Sequence, residues 1–245
     1  MAQESRRAGK FAKRIALSFA SSAEYFPKGN AAVVGNPIRK EFFIKEILGA
    51  KEFFKLENET PIIFIFGGSQ GAKNINDNVL DILPELLVDY QIIHQCGENN
   101  YKECQGRADL ILEKSPFKSR YRLFSSLKFD GMRMAYGAAD LALSRAGSGS
   151  IFEIAASGLP SIIIPLTGSA QEHQRENAYI YAKSGAAVVI EERNLKPHIL
   201  KSEISRLISN KEELDKMSEA AKFFAKPDAA EKIAREIIRL AIEHK

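Results

Sequence analysis

From residue 61 onward, short apolar runs alternate with longer stretches in which apolar side chains return every three or four positions. A continuous apolar run bounded by turn residues reads as a strand buried on both faces, and the three-to-four period reads as a helix with one buried side. The pattern predicts strands at 61–66, 90–96, 121–125, 141–144, 161–165 and 186–191. It predicts helices at 72–87, 131–138, 150–157 and 175–184, then three closing helices near 196–209, 211–225 and 229–243. Asn194 or Leu195, Asn210 and Asp228 stand near the starts of those three, and Asn and Asp are strong N-caps. Strands alternating with helices imply the α/β class, with a Rossmann-like parallel sheet carrying helices on both faces.

Residues 1–38 have a different pattern: a basic helix, a strand RIALSF, a short helix SAEYF, then AAVVGNP. Two strands and two short helices are too little to close a core. This piece either docks on the rest of the chain or is the remnant of a larger domain. Gly35-Asn36-Pro37 marks the junction, because Pro37 and the residue before it are held extended or turned.

Composition narrows the class. A chain of 245 residues, 45% hydrophobic, can bury one large core or two smaller ones. The net charge of +4 argues for no nucleic-acid partner, but its placement is uneven. The first forty residues carry eight basic and two acidic side chains, a balance of +6, which leaves −2 for the other 205. Such a segment is either a solvated basic face or a surface for an anionic membrane or a phosphorylated ligand. Cys96 and Cys104 are the only cysteines and have no metal-site spacing, so a reducing, cytoplasmic setting is expected. Apolar runs such as PIIFIF fall short of the roughly 20 residues that span a bilayer, so any membrane contact is expected to be peripheral.

Two glycine-rich turns carry the candidate chemistry. PIIFIF runs into Gly67-Gly68-Ser69-Gln70-Gly71-Ala72 and then a helix, so unpaired amides at a helix start face outward with the positive end of the dipole. That combination suits a phosphate, and Ser69 adds a hydroxyl, although a tight turn with no ligand explains the same residues. It is neither a Walker loop nor GxGxxG. The second turn, Gly147-Ser148-Gly149-Ser150, follows the strand ending at Ser144. Here Ser150-Ile-Phe-Glu153 matches a capping box, in which Glu153 serves only the helix start. Alternatively both turns line one crevice, phosphates lie over the helix starts, and Glu153 accepts the hydroxyls of a ribose. The residues alone leave both readings open. Farther on, Gln171-Glu172-His173-Gln174-Arg175-Glu176-Asn177 offers donors and acceptors for sugar hydroxyls, or a solvated helix start.

GNPIR at 35–39, GGSQGA at 67–72, HQCG at 94–97, the long stretch 132–165, HQRENA at 173–178 and SGAAVVIEE at 184–192 resemble, in the same order, the MurG family of peptidoglycan glycosyltransferases. The resemblance implies one half of a GT-B fold and a reaction in which N-acetylglucosamine passes from UDP-N-acetylglucosamine to a lipid-linked muramyl-pentapeptide. It implies a remnant of the acceptor domain at 1–38, a UDP-sugar domain at 39–228 and a crossover helix at 229–245. On that pattern Gly68, Ser69, Gln70 and Gly71 hold the diphosphate with Arg39 nearby. Phe129 reads the uracil edge through its backbone. Gly147, Ser148, Gly149 and Ser150 bound the nucleotide and phosphate pocket, Glu153 holds the ribose, and His173 and Gln174 face the sugar.

The family's N-terminal domain, with its GGTGGH-like segment for the acceptor diphosphate and the base, has no counterpart in this sequence. The final helix is therefore left without the partner that the family pattern gives it, and no residue stands out as the base. No Asp-x-Asp motif occurs, so no metal or other cofactor is expected, and amides, dipoles and Arg39 would steady the leaving group. Two alternatives remain: a UDP-sugar-binding module that needs a separate acceptor-domain chain, and a GT-B transferase with another acceptor.

Overall fold

The computed structural model describes residues 7–27, 29–43, 47–68, 71–168 and 172–243. Six parallel strands form the main sheet: β3 (Ile62–Phe66), β4 (Gln91–Gln95), β5 (Tyr121–Phe124), β6 (Leu141–Ser144), β7 (Ser161–Ile163) and β8 (Ala187–Val189). Their order is β5-β4-β3-β6-β7-β8. Counted within the sheet this is the 3-2-1-4-5-6 order of the Rossmann fold, and the order reverses between β3 and β6.

Alternate residues of β3 enter different cores, as the period of two requires. Ile62, Phe64 and Phe66 join the cluster on one face, and Ile63 and Ile65 the cluster on the other. The first face is covered by α5 (Phe129–Ala138), α6 (Ser148–Ala156), α7 (Glu172–Lys183) and α9 (Lys211–Phe224). The second is covered by α2 (Lys73–Asp81), α3 (Leu83–Asp89), α4 (Tyr101–Ile111) and α8 (Pro197–Ile208). A short α1 (Ala50–Phe53) and the closing α10 (Ala229–Ile242) complete the helices named here. The parallel sheet with helices on both faces is thus as the sequence predicts.

Three local expectations are corrected. The single helix expected over 72–87 is two, because Ile82 leaves the helical region and Pro84 stands in the first turn of α3. Proline has no N–H to continue the ladder and its ring crowds the carbonyl four residues back, here Leu80. Helix α4 has no counterpart in the expectations, although the crossover between parallel β4 and β5 is of the kind most often made by a helix. Its sequence YKECQGRADLI buries only Cys104 and Ala108 and contains Gly106, so the apolar stripe is too thin to read. The N-cap of α8 is Lys196 rather than Asn194 or Leu195. Asn210 does cap α9, its side chain accepting from the Glu213 amide at 3.1 Å, whereas Asp228 stands at the start of α10 without such a bond.

The N-terminal piece docks on the rest. Strands β1 (Ile15–Leu17) and β2 (Ala31–Val33) pair in parallel as a small second sheet. Phe19 is buried against Phe152 and Phe224, with ring centroids 5.4 and 6.3 Å away. The final helix, for which no partner was expected, turns toward this piece: Arg14 Nε lies 2.9 Å from Glu236, and α10 and the small sheet border a cavity of about 410 Å³.

Candidate functional site: two glycine turns at the strand reversal

Phe66 and Ser144 are register partners at the ends of β3 and β6, so the two glycine-rich turns leave the sheet side by side. The first turn is fixed by its glycines. Gly68 and Gly71 have φ of +83° and +77°, and the Gly71 amide donates to the Gly68 carbonyl at 3.1 Å. A Cβ on Gly71 would stand 2.1 Å from the Cys96 carbonyl oxygen, and one on Gly67 would stand 2.4 Å from the Ala72 nitrogen. Ser69 and Gln70, expected at the diphosphate, lie outside the described residues.

Behind this turn a buried polar chain fixes its support. The Cys96 carbonyl accepts from the Asn76 and Asn100 side chains, both at 3.0 Å. Asn76 Oδ1 lies 3.0 Å from His94 Nε2, and His94 Nδ1 lies 2.8 Å from the Tyr121 hydroxyl. Burial drives the His94 imidazole down to about 3, so it is neutral at pH 7.

The second turn differs in kind. Helix α6 begins at Ser148 with Gly147 as an N-cap that makes no side-chain bond, and no acidic residue lies in the first turn. Glu153 is therefore in the second turn, and the capping-box reading is overturned: the helix starts two residues before Ser150, out of reach of the geometry a capping box needs. Instead Glu153 Oε2 accepts from the Tyr136 hydroxyl at 3.1 Å. Burial pushes the Glu153 carboxyl up, with the Tyr136 hydroxyl and the Arg39 guanidinium opposing. A Cβ on Gly149 would meet no atom within 4 Å, and one on Gly147 only Ser150 Oγ at 3.8 Å. Internal packing thus asks for no glycine at either position.

The expected residues fall into three groups. Gly68, Gly71, Gly147, Ser150 and Gln174 line one cleft of about 500 Å³. Arg39 lies over the Phe129 ring at 4.6 Å and is near enough to Glu153 to act on its carboxyl, and Glu153 stands one helical turn along α6 from Ser150. Ser148 and His173 instead line a cavity of about 680 Å³ shared with Ser18, Phe19, Glu176 and Asn177. Ser148 Oγ is sheltered there and makes no hydrogen bond. Gly149 belongs to none of the three and is exposed at the turn.

Sequence reasoning missed the ion pair that ties the cleft together. Arg145, 6% exposed, pairs with Glu192 and donates to the Ile164 carbonyl at 3.3 Å. Glu192 also accepts from the Thr167 amide and hydroxyl at 3.1 and 2.9 Å and from Asn74 at 3.3 Å. Burial works to raise the Glu192 carboxyl, and Arg145 and Thr167 outweigh it, holding it below its ordinary value. Arg145 stands directly before the second glycine turn, and that position is the one signal in the sequence that could have found it. Among the described residues, no group of three or more His, Cys, Asp or Glu side chains is placed to hold a metal, and no helix is long and apolar enough to cross a membrane.

Comparison with known proteins agrees with this geometry. The chain is 36% identical over 96% of its length to the UDP-N-acetylglucosamine–N-acetylmuramyl-(pentapeptide) pyrophosphoryl-undecaprenol N-acetylglucosamine transferase of Acetivibrio thermocellus, covering 63% of that protein. It is 32% identical over 92% of its length to the protein of the same name from Rippkaea orientalis, covering 60% of it. The chain therefore spans about three fifths of the length of these relatives. The crystal structure of Acinetobacter baumannii MurG superposes with a TM-score of 0.72 at 24% identity, over 98% of this chain and 64% of that one. The UDP-GlcNAc 2-epimerase of Neisseria meningitidis does so at 0.63 and 15% identity, over 89% of this chain and 57% of that one. The fold is that of one half of a GT-B protein. With residues 62–233 matching its signature, the chain belongs to the glycosyltransferase family 28 C-terminal domain.

Proposed function

We propose that this chain is the donor-binding half of an N-acetylglucosamine transferase that converts a lipid-linked muramyl-pentapeptide into its disaccharide form during peptidoglycan synthesis. The observation that carries the reading is the convergence of two glycine turns at the reversal of strand order, where open α/β sheets take their ligands. The relatives named above bear that activity in their names.

In this reading the diphosphate of UDP-N-acetylglucosamine lies over the N-termini of α2 and α6, with the amides of both turns directed at it. Gly147 and Gly149 leave the approach open, which explains glycines that packing does not require. Glu153 takes the ribose hydroxyls, the Phe129 backbone reads uracil with Arg39 beside it, and Gln174 and His173 face the sugar. Ser148 lines the second cavity with His173, and its hydroxyl makes no hydrogen bond within the protein. The acceptor oxygen attacks the anomeric carbon, the bond to the diphosphate breaks with inversion, and the charge left on UDP is met by helix dipoles, amides and Arg39. The acceptor's proton passes to a base that we assign to no residue described here. A lipid-linked acceptor places the reaction at the inner face of the membrane as a peripheral contact, and a separate acceptor-domain chain is compatible with it.

Calorimetry with UDP and UDP-N-acetylglucosamine tests the reading. Both bind, and Glu153→Ala weakens both by about tenfold or more, the effect of losing one charged hydrogen bond worth roughly 1.5–3 kcal/mol. Unchanged affinity in that variant removes Glu153 from the site. Transfer of labelled sugar to a lipid-linked muramyl acceptor separates the enzyme from a binding module: turnover by the chain alone excludes the module, and donor binding without turnover favours it.

A further inference from the structure

Glu153 is held by a neighbour that its own sequence context does not reveal. Tyr136 is 2% exposed, and its ring lies edge-on to three phenylalanines: Phe42 at 5.5 Å and 88°, Phe64 at 5.3 Å and 85°, and Phe66 at 5.7 Å and 89°. Three such contacts fix the ring and the direction of its hydroxyl. That hydroxyl donates to Glu153 Oε2 at 3.1 Å. Burial, then the Glu153 carboxylate, raises the phenol well above its ordinary value, so it stays protonated and donates.

We infer that Tyr136 is a positioning residue for the ribose-binding carboxylate, and that it makes the site selective for ribonucleotides over 2′-deoxyribonucleotides. The inference rests on the donor-binding reading above. An ionised carboxylate offers about four lone pairs. Tyr136 occupies one on Oε2, which leaves one there and two on Oε1 for the two hydroxyls of a ribose. The same bond stops the flexible glutamate chain from turning back into solvent, so the acceptors wait in place. A 2′-deoxy sugar presents one hydroxyl to this pair and leaves a half-buried acceptor unfilled, which is the situation that discriminates strongly.

A purely structural tyrosine would only be satisfying its own buried hydroxyl, and the two roles separate by experiment. Tyr136→Phe keeps the ring and its packing and removes one oxygen. UDP and 2′-deoxy-UDP are titrated calorimetrically into the full wild-type chain and into this variant across pH. The wild type prefers UDP by about tenfold. The variant loses most of that preference, binding UDP about tenfold more weakly and 2′-deoxy-UDP with little change. Its acid limb for UDP binding also moves to higher pH. The groups that bear on the carboxyl are Tyr136 from α5 and Arg39 from the segment before Lys40, both lowering it, and only the first is removed.

A variant that keeps the wild-type preference and acid limb overturns the inference while leaving the donor site intact. Failure of the wild type to bind UDP overturns the donor reading itself. If the variant does not fold, a ¹³Cζ label on Tyr136 in the wild type decides: its signal shifts on saturation with UDP and less with 2′-deoxy-UDP, and equal shifts refute the inference.

Discussion

Two glycines, one from each turn, have opposite reasons for being there. Gly71 is held by the backbone, with φ of +77° and the Cys96 carbonyl where a Cβ would go. Gly71→Ala is expected to lower both the thermal midpoint and UDP affinity, since the turn must move. Gly149 has negative φ and empty space around it. Gly149→Ala should raise stability by about 0.5–1 kcal/mol through helix propensity. On the proposed donor site its UDP affinity should nonetheless fall, because the added methyl would meet the diphosphate expected over that turn. Parallel thermal melts and calorimetry check the pair, and unchanged affinity in Gly149→Ala removes the diphosphate from that turn. His94 gives a third test at this scale. Its folded value of about 3 lies below the ordinary 6.5, so the unfolded chain binds the proton first as pH falls. The stability that neutral His94 contributes is complete above pH about 6.5 and is lost toward pH about 3, with a slope near 1.4 kcal/mol per pH unit. In urea melts between those values, His94→Gln should show a shallower acid dependence than the wild type.

The strands were legible because each is buried on both faces and so reads as an unbroken apolar run, as in IIFIF of β3. The helices with a clear buried side, such as α8 and α9, were legible because their buried residues return every three or four positions. Helix α4 was not, because much of its attachment is ionic. Arg107 reaches Asp77 at 2.5 Å and Asp81 at 2.9 Å, and Lys73 reaches Glu103 at 2.6 Å, contacts between charges that sequence pattern cannot pair. The capping box around Glu153 shows the converse: a correct local motif lost to a helix start two residues earlier. The caps of the closing helices separate by measurement. Asn210→Ala should cost about 1 kcal/mol in urea unfolding, since its side chain bonds the Glu213 amide. Asp228→Ala, where no cap bond exists, should cost less than half of that.

At the scale of the whole molecule, the small β1–β2 sheet is tied to the main body through Phe19, Phe152 and Phe224 and through the Arg14–Glu236 pair. Exposed ion pairs contribute little, so the aromatic contact carries the attachment. Phe19→Ala should cost about 3 kcal/mol and expose residues 15–33 to limited proteolysis before the main sheet is cut. Cleavage that begins in the main sheet instead would show that the piece is not separately attached. The same fold is shared with a MurG and with an epimerase, so the reaction must be argued from side chains and not from the fold.

The sequence by itself determined where the strands and most helices lie, where the two glycine turns fall, and that the positive charge gathers at the N-terminus, since each of these is written in neighbouring residues. Only the tertiary structure decided that the chain reverses direction across the sheet between β3 and β6, which sets Phe66 beside Ser144 and makes one cleft of two turns. It also decided that Glu153 answers to Tyr136, Arg145 to Glu192 and the first turn to Cys96. Those partners are joined through space by packing and crossover connections, and no local period or propensity encodes which distant side chain will arrive.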